Sequence, residues 1–524
     1  MDKELLSALA ERTTYPEPTS TVALVQTHIS VLCFTDRFVY KVKKGVDLGF
    51  LDFTTLERRH YYCQEELRLN RRLSPDLYLG VVALHRQEGS YRFEGTGEIV
   101  EYAVKMHRLP AERMLSHLLD GGVVTEADIR SIARIIGNFH LLAEQSEHIS
   151  AFGTPAAIGR LWQDNLQQIA TLTSPLSGSD LALIGQWVAQ TLTVEVQRFN
   201  NRVRDGFIRE CDGDIHADNI CLADQVYIFD CIEFNERFRC SDTAADIAFF
   251  LMDLDMHRHP ELAPPFLKEY LAVTNDREAV ALLPFYQTYR AFVRGKVSSL
   301  MAADPQIAER ERQRSWDKAR DYFRLARGYI LRQHLEPTMI LMTGITGSGK
   351  SSIAGELAFQ LGLKHINSDR VRKELAGIPA TKRGDILPQG SIYTPAWHRR
   401  TYDEMLRQAQ ELLHKGEGVI VDATNRTVTG RKSFCQLARE AGCRLLLIQT
   451  FAPEEAIHKR LVGRDLEPTV SDGRWQTYLT QRGDYEEPTD SEGEVLRVDT
   501  TLPLDETIDT ILRQLGVLSY VAAH

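Results

Sequence analysis

The sequence predicts a multidomain α/β protein with an N-terminal α+β domain of two lobes and a C-terminal α/β domain built on a parallel sheet. Three observations lead to this prediction. The chain has 524 residues, which is too long for one ordinary hydrophobic core. Two strand-rich stretches, 22–46 and 77–109, precede a mainly helical region. After Pro337, apolar strands alternate with helices, which is typical of a parallel sheet with crossover helices.

The N-terminal domain is predicted to cover residues 1–335, with one lobe over about 20–105 and a second over about 110–335. The alternating stretch 22–46 predicts two strands or a hairpin, followed by a strand that ends at Lys43. A helix follows, with Thr54 or Thr55 near its N-cap. The remaining predicted elements are three strands over 77–109, helices over 111–200, strands over 206–234 and helices over 242–333. Pro337 then separates this domain from the C-terminal one, 336–524.

Composition excludes several classes of protein. Apolar content is 43% and charged content 26%, as in ordinary globular proteins. The net charge of −10 argues against a protein that coats nucleic acid, although a local basic groove stays possible. No apolar run is long enough to span a bilayer, and the N-terminus lacks a secretory pattern, so a cytoplasmic location is expected. The eight cysteines include no C-x-x-C pair, which makes a zinc site improbable.

The clearest motif is GITGSGKS, residues 344–351, between a predicted apolar strand and a helix. It fits the G-x-x-x-x-G-K-[ST] pattern, in which successive backbone N–H groups and a helix N-terminus face nucleotide phosphates. Lys350 is predicted to reach the β- and γ-phosphates, while Ser351 and Asp422 would hold Mg²⁺. The predicted nucleotide-binding residues of this loop are Gly344, Thr346, Gly347, Ser348, Gly349, Lys350, Ser351 and Ser352.

Further residues of the C-terminal domain favour phosphotransfer over motor activity. Asp369 follows the next predicted strand and could accept a proton from an acceptor hydroxyl. Arg372, one helical turn later, could bind a phosphate or carboxylate of the acceptor. Arg460 and Arg464 lie four residues apart on one helix face and could close over the phosphates as a lid. A capped, solvated helix is the alternative explanation of each of these features.

A basic cluster surrounds Asp369 and would suit an anionic acceptor, including nucleic acid. A solvated surface is an equally good interpretation. The members of this cluster are Arg370, Arg372, Lys373, Lys382, Arg383, Arg399 and Arg400.

Residues 337–510 resemble small P-loop kinases of the polynucleotide kinase and gluconate kinase type. The pair Asp369 and Arg372 is similar to the aspartate-x-x-arginine of a bacteriophage 5′-hydroxyl kinase. This resemblance implies that Asp369 is the base and that Arg372 contacts the acceptor. Zeta-type toxins and antibiotic phosphotransferases share the layout, so it does not fix the acceptor.

A second ordered set of residues lies in the N-terminal domain. Asp214 and Asn219 have the D-x-x-x-x-N spacing of a kinase catalytic loop, and Asp230 ends the next strand. In that arrangement Asp214 accepts the proton, while Asn219 and Asp230 hold Mg²⁺. Upstream, Lys41 ends a strand in the position of a lysine that binds α/β-phosphates, with Glu65 or, preferably, Glu66 as its partner. The segment 101–109, with Met106, is the predicted hinge that meets adenine.

The loop DGDIHADN and the segments FDCIEF and DTAADIAF make residues 20–300 resemble the aminoglycoside phosphotransferase and choline kinase superfamily. The resemblance implies a two-lobed, protein-kinase-like fold, ATP binding, and Asp246 as a scaffold carboxylate. Asp212 stands where that superfamily usually has a histidine that braces the loop. Nearly the whole chain also resembles a bacterial group of proteins that fuse such a domain to a P-loop kinase.

Together these patterns predict an ATP-dependent phosphotransferase with two nucleotide sites, both using Mg²⁺ and hydroxyl acceptors. Two alternatives stay open. The P-loop half could phosphorylate the 5′-hydroxyl of a polynucleotide, or the N-terminal half could be a non-catalytic nucleotide or ligand sensor that regulates the P-loop half.

Overall fold

The computed structural model describes residues 2–380, 382, 384, 391–463 and 470–518. The chain divides into two compact units. The first consists of Met1–Leu181 and Gly185–Ala326, and the second of Ala182–Ile184 and Arg327–His524. The division at residue 326 falls inside a helix, Glu309–Arg332, whereas the sequence pattern favoured the loop that follows this helix. Within the described part of the chain, every helix is too short or too polar to cross a bilayer.

The first unit begins with a six-stranded antiparallel sheet in the order β1-β2-β3-β6-β4-β5. Two short ribbons follow, in which β7 pairs with β10 and β8 with β9. The strands are β1 (Ala23–Gln26), β2 (Ser30–Phe34), β3 (Phe38–Lys43), β4 (Tyr78–Gln87), β5 (Ser90–Phe93), β6 (Glu98–His107), β7 (Ile208–Glu210), β8 (Ile220–Leu222), β9 (Val226–Ile228) and β10 (Cys240–Asp242).

Helices make up most of the rest of the first unit. They are α1 (Lys3–Ala10), α2 (Leu56–Asn70), α3 (Leu115–Asp120), α4 (Glu126–Leu142), α5 (Glu147–Ser150), α6 (Pro155–Ala170), α7 (Gly178–Val194), α8 (Val196–Arg204), α9 (Glu236–Arg239), α10 (Thr243–Met256), α11 (Ala263–Thr274), α12 (Ala279–Ala303) and the first part of α13 (Glu309–Arg332). Thr55, one of the two N-cap candidates, caps α2 by accepting a hydrogen bond from the Arg58 N–H.

Both faces of the six-stranded sheet are covered. One face packs Leu9 and Tyr15 against Val31, Tyr40 and neighbouring strand residues. The other packs Val39, Val104 and Met106 around Cys63 of α2. Because side chains alternate along a strand, β3 sends Tyr40 and Val42 to one face and its odd-numbered residues to the other. The odd-numbered face carries both Lys41 and Lys43.

A buried arginine fixes the start of α10. Arg202 is 2% exposed; its Nε donates to Asp242 at 2.9 Å and its Nη2 donates to Asp276 at 2.8 Å. Asp242 in turn caps α10 by accepting the Ala244 N–H at 2.9 Å. The helix position of Asp246, one turn later, therefore depends on this ion-pair network.

We expect Arg202→Met to lower the free energy of unfolding of the first unit by about 3–5 kcal/mol, because two buried carboxylates lose their common cation. Urea denaturation followed by circular dichroism measures this loss. The exposed neighbour Arg204, which pairs with Asp205, provides the control, and Arg204→Met should change the stability by less than about 0.5 kcal/mol. Equal effects of the two substitutions would contradict the assignment.

The second unit confirms the predicted parallel sheet. Its five strands have the order β12-β13-β11-β14-β15, and each neighbouring pair is parallel. The strands are β11 (Thr338–Thr343), β12 (Lys364–Asn367), β13 (Val419–Asp422), β14 (Arg444–Phe451) and β15 (Glu494–Asp499). The helices are α14 (Lys350–Leu361), α15 (Ser368–Leu375), α16 (Pro395–His414), α17 (Val428–Glu440), α18 (Glu454–Gly463), α19 (Trp475–Gly483) and α20 (Leu504–Gln514).

The sheet positions the polar residues at one edge. Every residue of β11 is buried, as expected for a central parallel strand with helices on both faces. In the register of the sheet, Asp422 lies beside Met342 of β11 and beside Asn367 of β12. The carboxyl ends of these strands therefore meet at the loop that leads from β11 into α14.

Candidate functional sites

The loop between β11 and α14 forms a cradle with glycine at three positions of positive φ, Gly344, Gly347 and Gly349. Gly347 has φ 81° and Gly349 has φ 93°, a left-handed conformation that disfavours other residues. A Cβ on Gly347 would lie 2.8 Å from Ile457, and a Cβ on Gly349 would lie 3.0 Å from Thr500. Glycine at these positions lets the backbone run close to its neighbours, with α14 starting directly behind the loop.

Three side-chain contacts hold the rest of this loop. Ser348 Oγ lies 2.7 Å from Thr450 Oγ1, and the Thr346 N–H donates to Gln481 Oε1 at 2.8 Å. The Lys350 ammonium reaches back along the loop and donates to the Ile345 carbonyl at 2.9 Å. Ser352, also predicted to bind nucleotide, is exposed in the first turn of α14.

Arg460 of α18 braces this cradle. Its guanidinium donates to the Gly347 carbonyl at 3.3 Å and to Thr500 Oγ1 at 2.8 Å. The predicted lid role would require the same guanidinium to face phosphates, whereas in the structure it holds the loop backbone. Arg464, its predicted partner, lies outside the described residues.

Asp422 is buried at the end of β13, and it is the carboxylate next to the cradle. It accepts hydrogen bonds from His365 Nε2 at 3.1 Å and from Asn367 Nδ2 at 2.7 Å. Burial alone would raise the pKa of Asp422, but the hydrogen bond from His365, the charges of His365 and Lys350 and the Ser351 hydroxyl hold that pKa below its ordinary value. An ionised carboxylate beside a serine hydroxyl provides hard oxygen ligands of the kind that Mg²⁺ prefers.

Asp369 and Arg372 line the same cleft as Lys350 and Ser351. Asn367 caps α15 by accepting the N–H groups of Asp369 and Arg370, which places Asp369 in the first turn. Asp369 Oδ1 accepts from Arg372 Nη1 at 2.8 Å and from the Tyr393 hydroxyl at 3.3 Å. The cleft that joins these residues to the cradle has a volume of about 420 Å³.

The predicted basic cluster contains both buried and exposed side chains. Arg372 and Lys373 are buried, and Lys373 donates to Asp472 at 3.0 Å and to the Val470 carbonyl at 2.8 Å. Lys373 is therefore part of the core of the unit. The exposed members within the described residues are Arg370, Lys382, Arg399 and Arg400. Arg383 lies outside the described residues.

In the first unit, Lys41 of β3 lies within a buried group of charges. Its ammonium contacts Glu66 Oε1 at 2.8 Å and also contacts Asp230 Oδ1. Burial opposes the charge of Lys41, but Asp230 and Glu66 raise the pKa of the ammonium well above its ordinary value. Glu65, the other candidate partner, points away and pairs with Arg68 at 2.9 Å. Lys41, Glu66 and Asp230 thus meet at one point.

Two members of this group, Lys43 and Glu233, were not predicted as site residues. The Lys43 ammonium contacts Glu66 Oε2 at 2.6 Å and also contacts Glu233. Burial opposes the positive charge of Lys43, but Glu233 and Glu66 raise the pKa of Lys43 above its ordinary value. The period of two along β3 places Lys41 and Lys43 on one face and could have indicated the second lysine. Glu233 lies within the segment FDCIEF quoted above, but that resemblance did not single it out.

The loop after β7 brings Asp214 and Asn219 together. Asn219 Nδ2 donates to Asp214 Oδ2 at 3.0 Å and to the Asp214 carbonyl at 3.1 Å. Burial alone would raise the pKa of Asp214, but contact with His216 and the charges of Arg294 and Arg290 hold it below its ordinary value. Asp214 is therefore ionised at neutral pH, as a proton acceptor has to be.

Asp246 holds the backbone of this loop through hydrogen bonds. Its carboxylate accepts the N–H groups of Asp212 and Gly213, each at 2.9 Å, and Arg290 donates to the Gly213 carbonyl at 2.8 Å. Asp212 Oδ1 accepts the Asp214 N–H at 3.1 Å. Burial and the neighbouring charge of Asp246 raise the pKa of Asp212 well above its ordinary value.

Two further predicted residues of the first unit are Met106 and Asp230. Met106 is buried in the apolar cluster around Cys63, and the next N–H groups along the chain, those of His107 and Arg108, donate to the carbonyls of Leu77 and Arg37, each at 2.9 Å. Asp230 has φ 67°, a conformation that costs a non-glycine residue energy and recurs at functional sites. Its N–H donates to the Tyr78 hydroxyl at 3.2 Å.

This chain is similar to other proteins in amino-acid sequence and to solved structures over part of its length. Uncharacterized proteins of Mycobacterium tuberculosis and Mycobacterium bovis are 29% identical to it over 443 residues, which cover 84% of this chain and 85% of each relative. Among solved structures, a gluconokinase from Sinorhizobium meliloti has 23% identity and a TM-score of 0.25, covering 36% of this chain and 99% of its own. An APS kinase of Mycobacterium tuberculosis, solved with AMPPNP and APS, has 17% identity and a TM-score of 0.26, covering 35% of this chain and 99% of its own.

A family model describes the region around the cradle. Residues 339–488 match the model AAA_33, described as an AAA domain. The match begins in β11 and includes the glycine-rich loop, Asp369, Asp422 and Arg460. The C-terminal part of the chain therefore carries an AAA domain of the AAA_33 type.

Proposed function

We propose that this chain is an ATP-dependent phosphotransferase with two nucleotide sites, which transfers the γ-phosphoryl group to hydroxyl acceptors. One observation carries the proposal. A single cleft of about 420 Å³ in the second unit is lined by Lys350 and Ser351 and also by Asp369 and Arg372. A phosphate cradle and a proton acceptor thus open into the same space, as a kinase requires.

The reaction follows from the positions of these groups. Asp369 accepts the proton of the acceptor hydroxyl, the hydroxyl oxygen forms a bond to the γ-phosphorus, and the bond to the β–γ bridging oxygen breaks to release ADP. Lys350 and the amides of the cradle offset the charge on the phosphates. Ser351 and Asp422 would hold Mg²⁺, which would neutralise further phosphate charge. Arg460 contributes by keeping the loop in position.

The second nucleotide site of the proposal lies in the first unit. It is supported by the resemblance of residues 20–300 to aminoglycoside phosphotransferases, which have a two-lobed kinase-like fold. The contacts of Lys41 with Glu66 and of Asp214 with Asn219 fit this assignment. Asn219 and Asp230 would hold Mg²⁺, and Asp214 would accept the proton of a second acceptor.

Two alternatives have specific support. Lys41 contacts Asp230, the proposed metal ligand, directly, which favours a first unit that binds a nucleotide or another ligand as a sensor. The exposed Arg370, Arg399 and Arg400 near Asp369 favour a polynucleotide 5′-hydroxyl as the acceptor of the P-loop unit.

Lys350→Met tests the proposal. We expect this substitution to lower kcat/KM for ATP in the P-loop reaction by about 10²–10³-fold, because a charge that stabilises the transition state is lost. ADP release is measured with sugars, aminoglycosides, nucleosides and 5′-hydroxyl oligonucleotides as acceptors. Lys432→Met removes an exposed lysine of α17 and serves as the control. Equal ADP release by the two variants would contradict the proposed role of the cradle.

A further inference from the structure

We infer that the P-loop unit phosphorylates a small hydroxyl compound that also bears a carboxylate or phosphate, and that Arg426 binds this acidic group. The inference rests on the proposed function and specifies its acceptor. Arg426 lines the same cleft as Lys350, Asp369 and Arg372, and no sequence motif pointed to it.

The charges in the cleft support an acidic acceptor. Arg372 is 7% exposed and is neutralised by Asp369 at 2.8 Å. Its Nε is buried and has no hydrogen-bond partner among the described residues. Arg426 is 37% exposed, and its recorded ion pair, with Asp484, is long at 3.6 Å and involves a carboxylate that is 63% exposed. An exposed ion pair of this length is weak. The cleft therefore has one exposed guanidinium, that of Arg426, without a close carboxylate.

The backbone presents Arg426 rigidly. Asn425, directly before it, has φ 40°, and its side-chain amide donates to the Met342 carbonyl at 2.7 Å. Arg431 donates to the Asn425 carbonyl at 2.9 Å, and the Glu486 N–H donates to the Arg426 carbonyl at 2.8 Å. A guanidinium on a fixed backbone suits the bidentate binding of a carboxylate or phosphate.

Aromatic side chains line the same cleft as the two arginines. The Arg372 guanidinium lies 4.6 Å from the centre of the Tyr393 ring, and the rings of His398 and Tyr402 lie 4.4 Å apart. Partial burial and the charges of Arg372 and Arg426 lower the pKa of His398, so its ring is neutral at pH 7 and adds no further charge. The cleft of about 420 Å³, which has to admit the nucleotide phosphates as well, is of the size that holds small molecules.

The test compares acidic acceptors with neutral ones of similar shape. Gluconate is compared with glucose, and glycerol 3-phosphate with glycerol, so that carboxylate and phosphate are distinguished. A 5′-hydroxyl oligonucleotide is the fifth probe. ADP release is measured for the full chain, for Arg426→Gln and for Arg407→Gln. Arg407 lies on α16 and is 54% exposed, paired with Glu404, and it does not line the cleft.

We expect at least one acidic probe to exceed its neutral analogue in kcat/KM by about tenfold to a hundredfold, the range for a charge-assisted hydrogen-bonded contact. Arg426→Gln should abolish that preference by raising the KM for the acid, with KM for ATP unchanged. Arg407→Gln should behave as the unaltered chain.

Neutral probes turned over as well as acidic ones would overturn the inference, and so would an oligonucleotide turned over independently of Arg426. If no probe is turned over, calorimetry measures the binding of gluconate and of glycerol 3-phosphate to the AMPPNP-loaded protein. Failure of both acids to bind overturns the inference while the proposed function stands. Failure of AMPPNP itself to bind refutes the proposed function and the inference with it.

Discussion

Asp369→Asn is expected to lower kcat of the P-loop unit by about 10³-fold while nucleotide affinity is maintained. Asparagine preserves the shape of the side chain but cannot accept the proton of the acceptor hydroxyl. The cradle residues Gly347, Gly349 and Lys350 are untouched by this change. ADP release under saturating ATP measures kcat, and calorimetry with AMPPNP measures the affinity.

A matched substitution separates this effect from a general loss of charge. Asp403 is an exposed carboxylate on α16, and Asp403→Asn should leave kcat within about twofold of the unaltered chain. An undiminished kcat in Asp369→Asn would show that another group in the cleft accepts the proton. The ion pair with Arg372 would then be a purely structural contact.

Asp214→Asn is expected to reduce turnover by the first unit by about 10³-fold, again because the proton acceptor is lost. The measurement is made in the Lys350→Met background, so that ADP release by the P-loop unit does not obscure it. The pKa of Asp214 lies below its ordinary value, so activity should fall only when the pH drops through that low pKa, and this acidic fall should be absent from the variant. The same panel of acceptors is used.

The result also decides between an enzyme and a sensor. Asp224 lies in the exposed turn after β8 and accepts from the Tyr227 hydroxyl at 3.1 Å, and Asp224→Asn is the control. A sensor would bind nucleotide or another ligand in both variants and would show no turnover of its own to lose. A first unit that keeps full turnover without Asp214 would refute the assigned catalytic loop.

The fold of the second unit could be predicted from sequence because its signals are local. A buried apolar strand followed by GITGSGKS defines β11, the cradle and α14 together. The strand order β12-β13-β11-β14-β15 could not be predicted in this way, since strand neighbours are set by long-range packing. The sheet register places Asn367 beside Asp422, which explains how His365 and Asn367 come to surround that carboxylate.

In the first unit, too, features set by neighbouring residues could be predicted, whereas contacts between residues far apart in the chain could not. The preference for Glu66 over Glu65 rested on helical spacing, and the structure turns Glu66 toward Lys41 and Glu65 toward Arg68. Lys43 was missed because a second lysine at a strand end usually lies in solvent. The buried contacts of Lys43 with Glu66 and with Glu233, which is 190 residues away in the chain, make its burial favourable.

Arg460 and Arg426 show where side-chain roles were hardest to predict. Arg460 has the helical position of a lid residue, yet its guanidinium braces the Gly347 carbonyl and Thr500. Arg426 sits in the segment after β13 and gains its position from Asn425, whose φ of 40° has no signature in the sequence. Tertiary packing, and not spacing along the chain, decides which of these charges faces the cleft.

The central claim is that one chain contains two separate nucleotide sites, one built on Lys350 and the other on Lys41 and Asp214. Equilibrium titration of the purified Lys350→Met protein with AMPPNP and Mg²⁺ tests it most directly. The unaltered chain should bind two nucleotides, and the variant should retain one of them with unchanged affinity. Complete loss of nucleotide binding in the variant would contradict the claim and leave the P-loop as the site of all binding.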